Sequence, residues 1–132
     1  MNLIEKLIRV DKETAGKRET KKIKSKRLTK MLGEDTEITI QEISGRKSND
    51  IMQMMFDSKG NKKMSALYDT NLMICVNGII EPNLKDQTLM EHFGAATPKD
   101  LVAILFDSEA SSIADSIVDL SGLKTKEEDV KN

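Results

Sequence analysis

Histidine and cysteine, which often perform catalysis or bind metals, are scarce in this chain. His92 is the single histidine and Cys75 the single cysteine among 132 residues. A zinc site needs several ligands close together, and a cysteine nucleophile needs a neighbouring base. Cys75 falls on the apolar side of a predicted helix, a position that is typical of a buried core residue. We therefore predict no catalytic residue, no metal site and no cofactor.

Loops that bind phosphate or calcium are equally hard to find. Gly45, Gly60 and Gly78 stand alone, so no glycine-rich phosphate loop is expected. The segment Asp57–Asn61 has the polar composition of a calcium loop, but it lacks the regular spacing of acidic residues and the distal glutamate. An enzyme is not the expected function of this chain.

The segment 17–30 is strongly basic, with eight Lys or Arg residues and one Glu. Such a segment could contact the phosphates of a nucleic acid as part of a small regulatory protein. It could instead be a solvated linker and edge strand, balanced by an acidic body. Residues 1–33 contain 11 basic and 4 acidic residues (net +7), and residues 34–132 contain 10 and 18 (net −8). We favour the second interpretation, since no aromatic or recognition-helix motif accompanies the charge.

The composition is that of a small protein with one hydrophobic core. A length of 132 residues suits a single domain. One cysteine fits a reducing compartment, and the absence of an apolar run of 18 residues predicts no membrane span. The N-terminal residues do not have the pattern of a signal peptide, so we expect a cytoplasmic protein. Aromatic residues make up only 3% of the chain, which argues against stacking platforms for bases.

Hydrophobic periodicity predicts the elements of the N-terminal half. Within the segment 1–22, the spacing of Leu3, Ile4, Leu7 and Ile8 predicts an amphipathic helix of about three turns. A flexible basic linker is predicted to follow it over 11–22. Residues 23–32 and 36–43 are predicted to form a β-hairpin, because the second segment alternates polar and β-branched residues. The first strand alternates poorly, so a bulge or a shorter strand is expected.

Helical spacing dominates the remainder of the chain. A short helix is predicted over 49–56 and a long one over 64–80, the second being the expected central helix of the core. Start and stop signals mark three further short helices between Pro82 and Leu123. Their predicted N-caps are Asp86, Thr97 and either Asp107 or Ser108, and their predicted ends are Gly94 and Gly122.

These elements predict an α+β fold that is mostly helical. An N-terminal β-hairpin would pack with a bundle of about five short helices, in a domain that covers residues 23–123. Residues 124–132 are predicted to be a disordered tail. The N-terminal helix within residues 1–22 could dock on the domain, pair with another copy or bind a partner, so the oligomeric state stays open.

Several short motifs follow one another in an order that is more informative than any of them alone. In chain order they are Ser25-Lys26-Arg27-Leu28, the strand Ile38 to Ile43, Pro82-Asn83-Leu84, Leu89, Phe93-Gly94, Thr97-Pro98, Leu105-Phe106, Glu109, Ile113, Ile117, Leu120 and Gly122. In this order and spacing, the segment from Ile23 to Leu123 resembles the XkdN-like tail assembly chaperones of tailed phages and prophages. Residues 1–22 lie outside the resemblance.

The resemblance implies a non-catalytic role in tail assembly. Members of the family are thought to bind the long tape measure protein, keep it soluble, and help the tail tube protein to polymerise around it. They act in the bacterial cytoplasm and are absent from the finished virion. Related genes often yield a second, longer product by frameshifting. The motif positions look like fold determinants, so the resemblance assigns no binding residue.

Two apolar segments could bind such a partner. A chaperone for a long helical protein needs an adaptable apolar surface, and methionine side chains adapt well, although filling the core is their commoner role. The predicted partner-binding residues are Leu3, Ile4, Leu7, Ile8, Met52, Met54, Met55 and Phe56.

Overall fold

A computed structural model describes residues 1–122 of the chain. In chain order its elements are α1 Leu3–Ile8, α2 Lys12–Gly16, β1 Thr20–Lys24, α3 Lys26–Leu32, β2 Glu37–Gln41, α4 Gly45–Met52, a 3-10 helix Gln53–Met55, a 3-10 helix Met64–Ala66, α5 Leu67–Gly78, β3 Ile79–Glu81, α6 Gln87–Phe93, α7 Pro98–Leu105 and α8 Glu109–Leu120. The predicted α+β class with mostly helical content is confirmed. The predicted tail 124–132 lies outside the described residues.

The three strands form one antiparallel sheet in which β2 is central. β1 pairs Ile23 with Ile38 of β2, and β3 pairs Ile79 with Ile40, with an irregularity in the register beside Ile40. Ile38 and Ile40 are fully buried, because alternate residues of a strand point to the same face of a sheet. This face of the sheet covers one side of the core.

α5 is the central helix of the core, as predicted for the segment 64–80. It packs against α7 and α8, and α8 also contacts β2. Phe106 and Ile117 are fully buried between these elements. The buried core comprises Ile38, Ile40, Ile43, Ile51, Leu72, Ile74, Cys75, Ile79, Leu84, Leu101, Val102, Leu105, Phe106, Ala110, Ile113, Ala114 and Ile117. The longest helices of the described residues have 12 residues, too few to cross a membrane.

The connection between β1 and β2 differs from the predicted hairpin. Residues 26–32 form α3 rather than a strand, because Ser25 caps the helix by accepting from the Leu28 N–H at 3.1 Å. Gly33 ends the helix in the left-handed conformation, with φ of 74°. The antiparallel pairing of Ile23 with the segment 36–43 is as predicted. The prediction that the first strand of the hairpin continues to residue 32 is wrong.

Four other features of the predicted elements also differ from the structure. The supposed linker 11–22 contains α2 and the start of β1, and α1 has six residues rather than about three turns. The helix predicted over 49–56 begins at Gly45, because the Ser44 side chain accepts from the Lys47 N–H at 3.1 Å. The segment predicted as one helix over 64–80 ends in β3, whose partner is the distant strand β2.

The signals for α6 and α7 are confirmed. Asp86 caps α6 by accepting from the Leu89 N–H at 2.8 Å, and Gly94 ends it with φ of 69°. Thr97 caps α7 by accepting from the Asp100 N–H at 3.1 Å. These helix ends depend on contacts within a few residues, which is why the local sequence defines them.

Candidate partner-binding surfaces

α1 presents its apolar residues to solvent. Leu3, Ile4, Leu7 and Ile8 are 69%, 68%, 59% and 77% exposed, respectively. Neither α1 nor α2 contributes a buried residue. The apolar side of a helix in a globular protein normally packs against another element. Within residues 1–122, the predicted partner-binding residues of α1 therefore form an apolar face that no other element covers.

The predicted binding residues around Met52 are divided between the surface and the interior. Met52 and Phe56 are 45% and 48% exposed, whereas Met54 is half-buried against the core. Met55 is only 4% exposed, so its side chain is not available to a partner in this conformation. Its position is a correction to its selection as a surface residue: Met55 fills space in the interior, the commoner role of methionine.

Further exposed apolar side chains lie on the elements next to Met52 and Phe56. Phe56 forms a β-bridge with Lys62, and the Lys63 N–H donates to the Met55 carbonyl, which brings the two 3-10 helices together. We call the exposed set the methionine surface; its members are Met52, Phe56, Met64, Leu67 and Tyr68. Met64, Leu67 and Tyr68 have the i, i+3 and i+4 spacing of one side of a helix, and within the predicted core helix 64–80 this spacing predicts buried residues. The spacing identified one side of the helix, but it did not reveal that this side faces solvent.

A polar junction joins α3 to the start of α8. The Glu109 carboxylate accepts from the Ser25 hydroxyl at 2.7 Å and from the Lys26 N–H at 2.6 Å. Ser25 is fully buried. The Arg27 guanidinium donates to the carbonyls of Ile104 and Leu105 at the end of α7, at 3.3 and 3.4 Å. Ser25, Arg27 and Glu109 are motif residues of the family resemblance, and their contacts are those of fold determinants.

A second polar contact lies between Tyr68 and the turn before α8. The Tyr68 hydroxyl donates to the Asp107 carboxylate at 3.2 Å. Partial burial, the hydrogen bond to Asp107 and the negative charge of Asp107 raise the pKa of Tyr68. Asp107 has φ of 47°, and Ser108 occupies the N-cap position of α8 without a capping bond from its side chain. Of the two predicted N-cap residues of α8, Ser108 is therefore the one at the N-cap position, but its hydroxyl does not accept the expected hydrogen bond from the helix backbone.

The residues with potential for chemistry do not form a reactive site in the described part of the chain. Cys75 is fully buried, and its thiol donates to the Ala110 carbonyl at 3.4 Å. Burial, assisted by the charge of Glu109, raises the pKa of Cys75 to about 12, so the nucleophilic thiolate is disfavoured. His92 is exposed in the last turn of α6, and its ring lies edge-on to the ring of Phe93, with 4.9 Å between the two ring centroids. No three His, Cys, Asp or Glu residues within 1–122 are placed to hold a metal ion.

The basic segment 17–30 is distributed over the connection that follows α2, over β1 and over most of α3. Lys24 pairs with Asp35 at 2.9 Å, and Arg27 is engaged with the end of α7. The remaining cations are exposed, but they do not lie along the face of one helix. No specific contact favours the alternative of a nucleic-acid-binding regulator.

Comparisons with known proteins agree with the resemblance. A family model described as phage XkdN-like tail assembly chaperone protein matches residues 4–132. The exclusion of residues 1–22 from the resemblance is therefore corrected, because the match includes most of that segment. The crystal structure of the protein YqbN has a TM-score of 0.57 to this chain and covers 87% of this chain and 98% of its own. The two sequences are 9% identical, so this likeness shows the fold alone. None of the curated proteins matches the chain significantly.

Proposed function

Because the chain belongs to the XkdN-like family of phage tail assembly chaperones, we propose that it binds the tape measure protein and keeps it soluble while the tail tube assembles. The role is non-catalytic. It is exercised in the cytoplasm of the bacterial host, and the chaperone leaves before the virion is complete. The family match over residues 4–132 is the observation that supports this function.

The exposed apolar face of α1 is the first candidate contact with the tape measure protein. A long helical chain with apolar stripes can pack against such a face, as amphipathic helices do when they bind a groove. Each of Leu3, Ile4, Leu7 and Ile8 has more than half of its surface exposed. Full burial of a side chain of this size contributes about 1.5–3 kcal/mol before the cost of ordering the helix. The loss of two such residues should therefore weaken binding at least about tenfold.

The methionine surface is the second candidate contact. Met52 and Phe56 are exposed, although neighbouring short helices hold their backbone in place. A flexible methionine beside an aromatic ring can adapt to apolar side chains of different shapes. Lys62 and Lys63 lie beside this surface, so a partner segment that combines apolar and acidic residues would suit it.

Co-expression with the tape measure protein of the same phage tests the function. The chaperone should move the tape measure protein into the soluble fraction and co-purify with it. A Leu7→Ser/Ile8→Ser variant should lose most of this complex. Lys6→Ser is the matched control, because it changes an exposed polar residue of the same helix and should leave the complex intact.

The outcomes separate the function from the surface assignment. If the folded wild-type chain neither solubilises nor binds the tape measure protein, the proposed function is wrong. If the Leu7→Ser/Ile8→Ser variant binds like the wild type, α1 is not the contact. A Met52→Ser/Phe56→Ser variant then tests the methionine surface, with Asp50→Ser on the exposed part of α4 as its control.

A further inference from the structure

The outer edge of β1 has no partner strand in the part of the chain that the structure describes. β1 lies at one end of the sheet, next to β2 only. Ile23 is half-buried, and the other four residues of the strand are exposed. A sheet edge of this kind can accept an additional strand through its free backbone groups.

The register defines which backbone groups of β1 are used within the sheet. Just beyond the two ends of β1, the Ser25 N–H donates to the Thr36 carbonyl at 3.0 Å, and the Glu42 N–H donates to the Glu19 carbonyl at 2.9 Å. In an antiparallel pair, hydrogen-bonded positions recur at every second residue. Positions 19, 21, 23 and 25 therefore direct their backbone groups towards β2.

The intervening residues direct their backbone groups away from β2. These residues are Thr20, Lys22 and Lys24, which lie opposite Gln41, Thr39 and Glu37 without bonding to them through the backbone. Three N–H groups and three carbonyls thus line the outer edge. An incoming strand of about five residues could use all of them.

Positive charge restricts what can pair with this edge. Lys22 has no ion-pair partner within residues 1–122, and Lys24 has only its exposed pair with Asp35. Other exposed cations precede and follow the strand; they are Lys17, Arg18, Lys26 and Lys30. Like charges directly opposite each other destabilise a sheet, so these lysines oppose pairing with the same edge of a second copy. Carboxylates at the same positions would be attracted.

We propose that the outer edge of β1 binds an extended peptide segment of a partner protein, with acidic side chains at alternate positions. The segment adds to the sheet as a fourth strand. Its backbone bonds to Thr20, Lys22 and Lys24, and its carboxylates lie beside Lys22 and Lys24. If the proposed function holds, a tail protein supplies this segment, and that part of the inference depends on it. The binding property of the edge can be tested on its own.

The probe is a short fluorescent peptide that alternates glutamate and valine, titrated with the full chain. A peptide that alternates lysine and valine is its control. The glutamate peptide should bind, with an affinity that falls as salt rises, whereas the lysine peptide should not bind. Equal binding of both peptides, or of neither, would overturn the inference.

Two substitutions at one position separate the backbone from the side chain. Lys22→Ala and Lys22→Pro both remove the charge, but only proline removes the outward N–H. Proline is tolerated on an edge strand where the N–H faces solvent, so the β1–β2 pairing should survive. The peptide should bind the proline variant about fivefold more weakly than the alanine variant, as expected for one lost backbone hydrogen bond.

Equal affinity of the two variants would mean that the side chains alone attract the peptide, and strand addition would be wrong. If Lys22→Pro does not fold, Thr20→Pro and Thr20→Ala repeat the comparison, because the Thr20 N–H also points outward.

A truncated variant that ends at Gly122 tests whether the chain's own C-terminal residues occupy the edge, since residues 127–129 are Glu, Glu and Asp. If this truncation raises the peptide affinity tenfold, the chain's own C-terminal residues are the occupant of the edge. The proposal that a partner protein supplies the strand would then be wrong.

Sedimentation tests the remaining occupant, a second copy. A dimer that Lys22→Pro abolishes and Lys22→Ala retains would assign the edge to self-association and overturn the inference. Co-purification of the tape measure protein distinguishes this inference from the proposed function. If the tape measure complex forms but the glutamate peptide does not bind, the proposed edge site is wrong and the proposed chaperone function is unaffected.

Discussion

Glu109 ties the start of α8 to the start of α3 through a single carboxylate. Its oxygens accept from the Ser25 hydroxyl and the Lys26 N–H. The N-terminal turn of α8 also favours a negative charge at this position, as does the N-terminal turn of α3. Ser25 is fully buried and in turn accepts from the Leu28 N–H. The carboxylate therefore satisfies a buried hydroxyl that also caps a helix.

Replacing Glu109 with Ala should destabilise the protein by about 1–3 kcal/mol, because it leaves the buried Ser25 hydroxyl and the Lys26 N–H without their acceptor. Asp115→Ala is the matched control, since Asp115 is an exposed carboxylate on the same helix. Its effect should stay within about 0.5 kcal/mol. Urea denaturation of both variants measures the difference. Equal free energies of unfolding for the two variants would show that the junction contributes nothing to stability.

Cys75 should react with thiol reagents only when the protein opens. Its pKa is raised to about 12 by burial and by the charge of Glu109, so at pH 8 the thiol is protonated as well as inaccessible. Labelling with a disulfide reagent at pH 8 should be about a hundredfold slower than in denaturant, or slower still. The control is Ser111→Cys in a Cys75→Ala background, which places a thiol on the exposed side of α8. Comparable labelling rates for the two thiols would contradict the buried position.

The same pKa shift has a consequence for stability at high pH. Above the ordinary thiol value of 9.0, the unfolded chain loses the Cys75 proton, whereas the folded chain keeps it up to about pH 12. The folded state then binds more protons than the unfolded state, so this thiol lowers the free energy of unfolding as pH rises from 9 towards 12. Cys75→Ala should remove that part of the pH dependence. Denaturation of both proteins across this range measures it, and parallel curves would contradict the shift.

At the level of elements, α5 and α8 approach each other closely at Gly78 and Ile117. Gly78 is buried at the end of α5. A Cβ atom at this position would lie 2.4 Å from the Cδ1 of Ile117 and within 2.8 Å of two further atoms of that side chain. Ile117 is fully buried, and side chains in a close-packed interior move aside only at a cost in free energy. Glycine at position 78 therefore allows the two helices to pack at this distance.

Gly78→Ala should destabilise the protein by about 1–3 kcal/mol through overpacking. Gly45→Ala is the control, because a Cβ at Gly45 meets no atom within 4 Å and its backbone is helical. That change should be neutral or slightly stabilising, since alanine is the better helix former. Thermal unfolding of the two variants measures the contrast. A Gly78→Ala variant as stable as the wild type would mean that α5 and α8 can separate without cost.

How far each element could be predicted depends on how local its determinants are. The ends of α6 and α7 are defined by neighbours such as Asp86 and Thr97, and these were predictable. α3 lies in a segment predicted as a strand, although Ser25 and Gly33 mark both of its ends, because the alternation in the segment 36–43 predicts a paired strand before it. β3 could not be predicted as a strand, since it is defined by pairing with β2, about 40 positions earlier in the chain.

The whole molecule separates a packed body from an N-terminal arm, defined as residues 1–16. The buried core comes from β2, β3, α4, α5, α7, α8 and residues that connect them, while α1 and α2 bury no residue. Periodicity identified the apolar side of α1, but only the fold reveals that nothing within residues 1–122 covers it. The same fold places Met55 inside and exposes Met64 and Leu67. Apolar spacing identifies the side of a helix, and tertiary packing decides whether that side is core or surface.

Deleting the N-terminal arm should remove partner binding and leave the fold intact. The arm contributes no buried residue, and the β1–β2 pairing begins only at Glu19, whose carbonyl accepts from the Glu42 N–H. The midpoint of thermal unfolding should therefore stay within about 3 °C of the wild-type value, while solubilisation of the tape measure protein should fall to the level without chaperone. A chain whose arm is replaced by a Gly/Ser linker of equal length controls for chain length and should behave like the deletion.

A large fall in the midpoint would show that the arm packs on the body. Full solubilisation by the deletion would move the contact to the methionine surface or the edge of β1.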